Sequence, residues 1–278
     1  MENNLLSVLE HGAEAVESRR NALAFVGKLG AGALFSMLPF GLDNEAKAQS
    51  AGNDVAILNY ALTLEYLESS FYNQYVTNAV ITNAAVRPLF EMIKADEAKH
   101  VTFLRTAITG AGATPVSFTN ADFDFTAGGT FTPTDFATFL ILSQGFEDTG
   151  VRAYKGQAAN ITDKGILTAA LNIHSVEARH AAAVRKVRGL MGWIMADGTD
   201  VATAPASAIR STYQAGLTRR GVTDPSPSES NVTQGGIAIA AVAGKYTTAQ
   251  IQAAFDEPFG TASVKNIADP FVIPDLGA

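Results

Sequence analysis

Glu97-Ala98-Lys99-His100 and Glu177-Ala178-Arg179-His180 are two copies of one design. They agree in chemical type at every position, and each is followed at the same distance by an arginine, Arg105 and Arg185. Upstream of each copy a glutamate precedes a tyrosine at the i, i+7 spacing, Glu65 with Tyr72 and Glu147 with Tyr154. The chain therefore repeats itself in tandem: a segment with a single Glu, then a segment with E-x-x-H. Glu and His three residues apart share a helix face, so both side chains can reach one ion. A lone E-x-x-H is usually a solvated surface pair. Two copies, each with its own upstream glutamate, are not what a surface produces.

The apolar periodicity places all four segments on helices. Asn53-Asp54 reads as a helix start, and Ile57, Leu58, Ala61, Leu62, Leu64 and Leu67 recur at helical spacing up to about Val76. A second helical pattern runs from about Asn83 to Thr109, with Pro88 in its first turns as an alternative start of the regular helix and Gly110 and Gly112 as stops. Residues 113–131 are an irregular connection, long enough for the crossover that parallel second and third helices need. Thr132-Pro133-Thr134-Asp135 opens a third helix running to about Ala159, and Thr162-Asp163 caps a fourth from Lys164 to about Met195. Beyond it, Ser207–Arg219 and Thr247–Phe255 read as helical, residues 224–230 as a Pro/Ser linker, and Asp269–Pro274 as extended. The expected fold is all-α: a four-helix bundle over 49–195 and a partly helical C-terminal extension, 196–278, packing on it.

A helix of about 25 residues spans roughly 40 Å, so a mid-helix Glu can face the E-x-x-H of its antiparallel partner. Two single-Glu helices and two E-x-x-H helices supply four carboxylates and two imidazoles, the set that four-helix bundles use to hold two iron or two manganese ions. The predicted ligands are Glu65, Glu97, His100, Glu147, Glu177 and His180. Glu68 lies three residues after Glu65 and leans toward the same place, but its repeat counterpart is Gly150. That difference marks either an open side for a small oxidant or a site of close helix packing. Tyr72 and Tyr154 read as core aromatics with hydrogen-bonded hydroxyls. His174 reads as an outer partner of the site or a surface residue, since its counterpart is Lys94.

Composition narrows the function. A net charge of −7 and the lack of a basic stripe argue against a nucleic-acid partner. With no cysteine in the chain, a metal must be held by His and carboxylate. Residues 1–48 read as an export signal: Ser18-Arg19-Arg20-Asn21, a weakly apolar run to Leu42 broken by Lys28 and Pro39, and Ala46-Lys47-Ala48 as a cleavage site. The run is too interrupted for a membrane span, so membrane contact is expected only through an uncleaved N-terminus.

Leu64-Glu65-Tyr66-Leu67-Glu68-Ser69-Ser70-Phe71-Tyr72 resembles the first helix of the ferritin-like domain family that includes desiccation-related proteins. Residues 147–157 and Val176-Glu177-Ala178-Arg179-His180-Ala181 are similar to its third and fourth helices. The resemblance covers about residues 53–190 and implies a ferritin-like bundle with the six ligands at the positions above. The expected function is a carboxylate-bridged di-iron or di-manganese protein, iron taken first, working with O2 or H2O2 in redox or metal handling, with manganese-catalase-like turnover as one form. The alternative is a non-catalytic protective or structural protein of the envelope. No feature reports a closed storage shell, and the question of a homo-oligomer stays open.

Overall fold

Caps and apolar periodicity set the long elements: α1 (Asn44–Tyr75), α2 (Arg87–Gly110), α3 (Phe136–Ala158) and α4 (Lys164–Val187). The computed structural model describes residues 44–195, 213, 218–219, 222–223, 228–239 and 244–273. The Asp135 side chain caps α3 by accepting from the Thr138 amide, and Asp163 caps α4 by accepting from Ile166. Pro88 sits in the first turn of α2, where its missing N–H costs no intrahelical bond.

Several boundaries depart from the sequence reading. Helix α1 begins at Asn44 rather than Asn53, because Asp54 does not cap it. Its carboxylate instead accepts from the Thr162 amide, the Thr162 hydroxyl and the Asp163 amide at 2.9, 2.8 and 2.8 Å, and so ties the α3–α4 turn to α1. Helix α2 starts at Arg87, beside the Pro88 at which its regular part is expected, and α3 is capped by Asp135, the last residue of the stretch read as opening it. Helix α4 stops at Val187 rather than Met195 because Gly189 takes φ of 76°, and the Leu190 amide turns back to the Arg185 carbonyl at 2.9 Å.

The helix read over Ser207–Arg219 lies outside the described residues except for Tyr213 and β1 (Thr218–Arg219). That strand pairs with β2 (Val222–Thr223), setting the β-branched Thr218 opposite Thr223. β3 (Thr233–Gln234) and β4 (Ile237–Ala238) form a second antiparallel ribbon. The helix read over Thr247–Phe255 shortens to α5 (Thr248–Gln252), and α6 (Thr261–Ala268) follows. Most of the export-signal region lies outside the described residues, and Ala46–Ala48 falls within α1. Among the described residues no helix is long and apolar enough to cross a membrane.

The packing of ends fixes the helix directions. Phe90, at the start of α2, meets Phe139, at the start of α3, with ring centroids 5.0 Å apart. Helices α2 and α3 therefore run the same way, and residues 111–135 are the crossover between them. Two apolar clusters fill the bundle. One gathers Phe71, Phe90, Phe139, Phe146 and Val184, and the other Ile57, Leu62, Leu104, Ile108 and Ile173. On every helix the polar residues of interest fall between the two.

Several contacts pin the described part of the C-terminal extension. Near the end of the described chain, the Asp124 amide bonds to the Phe271 carbonyl and the Ile273 amide to the Asp122 carbonyl, both at 2.9 Å. The Phe271 ring sits 5.0 Å from Phe146 of α3, so the crossover is clamped from outside. Another anchor is Arg152, buried in α3. Its Nε lies 2.7 Å from Glu229 Oε1 and donates to the Glu257 carbonyl at 2.6 Å, while the guanidinium lies 3.4 Å over the Phe259 ring. Gly156 makes this approach possible, since a Cβ there would stand 1.8 Å from the Phe259 carbonyl oxygen. Gly156→Ala should cost about 1–3 kcal/mol in urea unfolding and speed proteolysis within 228–273. An unchanged midpoint and digestion pattern would contradict this docking.

Candidate metal centre

Each helix of the bundle brings part of the site to the same level between the apolar clusters. Glu65 and Glu68 come from α1, Glu97 and His100 from α2, Glu147 from α3, and Glu177 and His180 from α4. The four ligand glutamates are each 0% exposed. Their donor atoms fall into two groups whose members lie within 4.8 Å of one another: Glu65, Glu97, His100 and Glu177, and Glu97, Glu147, Glu177 and His180. Exchanging the halves of the repeat turns one group into the other, so the arrangement is pseudo-twofold. Glu97 and Glu177 belong to both groups.

The hydrogen bonding within the cluster does not close. His100 Nδ1 lies 3.1 Å from Glu65 Oε2, 3.3 Å from Glu97 Oε2 and 3.2 Å from Glu177 Oε1. A ring nitrogen carries at most one hydrogen, so it cannot donate properly to three carboxylates. His180 Nδ1 lies 2.9 Å from Glu97 Oε1 and 3.3 Å from Glu147 Oε2. These are ion-pair distances, but the atoms are not aligned as hydrogen bonds. His180 Nδ1, Glu97 Oε1, Glu147 Oε2 and both oxygens of Glu177 are buried without a hydrogen-bond partner. Orphaned buried polar atoms are costly, and here their lone pairs converge. This donor set fits a pair of cations.

The electrostatics agree. Burial pushes the Glu65 carboxyl up to about 7 and the Glu147 carboxyl up to about 8, against the pull of the adjacent histidines. Burial opposes a charge on His100 and His180 as well, but the carboxylates facing them raise both well above the ordinary imidazole range.

Groups around the cluster orient its members. The Tyr72 hydroxyl donates to Glu147 Oε1, and the Tyr154 hydroxyl to Glu65 Oε1. Each tyrosine thus serves the glutamate of the other half and leaves the Oε2 atom facing the histidine. The i, i+7 spacing identifies these tyrosines but not the exchange. His180 Nε2 faces Asp96 Oδ2 at 3.5 Å, a carboxylate backing of the kind that fixes metal-bound imidazoles. Burial pushes the Asp96 carboxyl up, but His180 and Lys99 outweigh it and bring it down to about 2. Asp96 escapes the sequence reading because the residue before E-x-x-H looks like a solvated helix position. Its one signal is that the other repeat carries Val176 there.

One expectation needs correction. The side of Gly150 is not open: a Cβ there would stand 3.1 Å from Glu68 Oε1 and 3.2 Å from Glu177 Oε2. The glycine makes room for Glu68, which is buried with the cluster and has its carboxyl driven upward by burial and by the Glu177 charge. His174, read as an outer partner or a surface residue, stands apart from the donor atoms themselves. It is half-buried and belongs to neither donor group, and burial and the Lys155 charge lower its pKa. The repeated arginines have diverged. Arg105 bonds the Tyr66 hydroxyl near the surface, whereas buried Arg185 pairs with Asp148, the repeat counterpart of Tyr66.

Comparison with curated proteins finds no match. Residues 53–190 match the family model described as a ferritin-like domain. That span starts in α1, ends just past α4, and takes in both donor groups and the crossover. The bundle of residues 53–190 is therefore ferritin-like in fold.

Proposed function

We propose that the bundle holds two divalent ions, iron or manganese, and uses them in redox chemistry with dioxygen or hydrogen peroxide. One observation carries this reading: Glu97 and Glu177 belong to both donor groups, as two ions sharing bridging carboxylates require. Glu65 and His100 would complete one position, and Glu147 and His180 the other. Four carboxylates balance the charge of two divalent ions with both imidazoles neutral. An oxygen-rich set with one imidazole per ion suits iron or manganese better than structural zinc. Two such ions, when bound, supply electrons to a small oxidant.

The chain's own part is to hold and shield. Tyr72 and Tyr154 fix one oxygen of each outer carboxylate, and Asp96 orients His180. The apolar clusters on either side exclude water and keep the local dielectric low. The reading also takes the protein to be exported, on the strength of residues 18–48.

Elemental analysis of the purified protein tests it. Two ions per chain are expected in the wild type, none in Glu97→Ala or Glu177→Ala, and one in Glu65→Ala or Glu147→Ala. A metal-free protein whose Glu97→Ala and Glu177→Ala variants keep full stability would instead support a non-catalytic scaffold in the envelope. Metal at a hundred times its Kd should stabilise the fold by about 2.7 kcal/mol, an increment that a chelator removes. A further expectation concerns Gly150→Ala. It should fold, since alanine favours a helix over glycine by about 1 kcal/mol, but bind metal about 10–100-fold more weakly because the new Cβ crowds Glu177. Unchanged affinity in calorimetric titration would contradict the role given to that glycine.

A further inference from the structure

Next to the cluster, beside the middle of α1, the helices leave a cavity of about 30 Å³. Ile57, Leu58, Leu104, Ala107 and Ala170 line it, and Tyr154 forms part of its wall. Tyr154 is the residue whose hydroxyl donates to Glu65, so the cavity and the donor cluster share a side chain. On the outer side the lining includes exposed Phe103 and partly exposed Ile166 and Ala169, which places the cavity between solvent and the buried carboxylates.

The chemistry of the wall selects what it can hold. A buried water needs two to four polar partners. The Tyr154 hydroxyl is committed to Glu65, and the Gln157 side-chain oxygen accepts from Asn160. That leaves the Tyr60 hydroxyl, which is buried and has no hydrogen-bond partner, and the Gln157 amide nitrogen, in a wall otherwise built of apolar side chains. Such a wall holds a polar guest poorly, and hydrogen peroxide, with two O–H donors and two accepting oxygens, most poorly of all. Dioxygen matches the space in size and needs no hydrogen bond.

We infer that this apolar cavity is a docking site for dioxygen on its way to the donor cluster. The inference rests on the function proposed above and narrows its oxidant to dioxygen. Tyr154 then has two faces: its ring walls the gas site while its hydroxyl orients Glu65.

Xenon, an apolar atom that occupies dry cavities, is the direct probe. Crystals of the full chain under xenon pressure should show the atom between Leu104, Tyr154 and Ala170. Ala107→Val on α2 and Ala170→Val on α4 fill the space from two different helices, and each should remove it. Both variants, loaded with ferrous iron, should also lower the ratio of oxidation rate with dioxygen to that with hydrogen peroxide several-fold. An empty cavity under xenon overturns the inference whatever the metal content. So does an unchanged rate ratio in both variants once xenon is lost. If the chain takes up no metal, the function proposed above fails, and the xenon result still decides the cavity.

Discussion

Four carboxylates and two imidazoles buried between two apolar clusters are the constraint on which the rest of this molecule depends. Each carboxylate is removed from water, and four of their oxygens find no hydrogen. A fold driven by stability alone would fill that level with leucine and phenylalanine, as the clusters above and below it do. The cost is acceptable where cations complete the site, and the repeat sets the donors in two overlapping groups suited to that end. The aromatic packing around Phe71, Phe90, Phe139 and Phe146 then has a function beyond stability, because it holds α1, α2 and α3 in the register that superposes the donors.

The two halves of the repeat are not equivalent, and their differences follow a pattern. Asp96 backs His180, while the matching position behind His100 is apolar Val176. Glu68 fills the space left by Gly150. Arg185 and Asp148 are drawn into a buried network with Tyr213, while Arg105 and Tyr66 stay near the surface. The second helix pair thus carries the anchors of the C-terminal extension, through Arg152, Gly156 and Arg185. The first pair carries the extra acid at the centre. The symmetric inner donors and asymmetric outer partners give the two donor groups different surroundings.

Much of the bundle was legible because its information is local. Helical periodicity, the Asp163 cap and the duplicated E-x-x-H depend on residues within a few turns of one another, and the six donors followed from comparing the chain with itself. What escaped depends on contacts between distant segments. Asp54 looks like a helix cap but serves the α3–α4 turn more than a hundred residues away. The exchange of Tyr72 and Tyr154 between halves, the backing of His180 by Asp96 and the filling of the Gly150 space by Glu68 all arise between helices, and no spacing along one helix encodes them. The end of α4 was misplaced for another reason: the apolar pattern continues past Gly189, but the left-handed turn there does not.

The central claim is that the two overlapping donor groups are one site for two ions. Anomalous diffraction from crystals of the protein, measured across the iron and manganese absorption edges, addresses it most directly. The account predicts two peaks within the cluster, both beside Glu97 and Glu177, one also reached by Glu65 and His100 and the other by Glu147 and His180. Crystals grown with either metal that show no peak there, or one ion held by a single donor group, would contradict it.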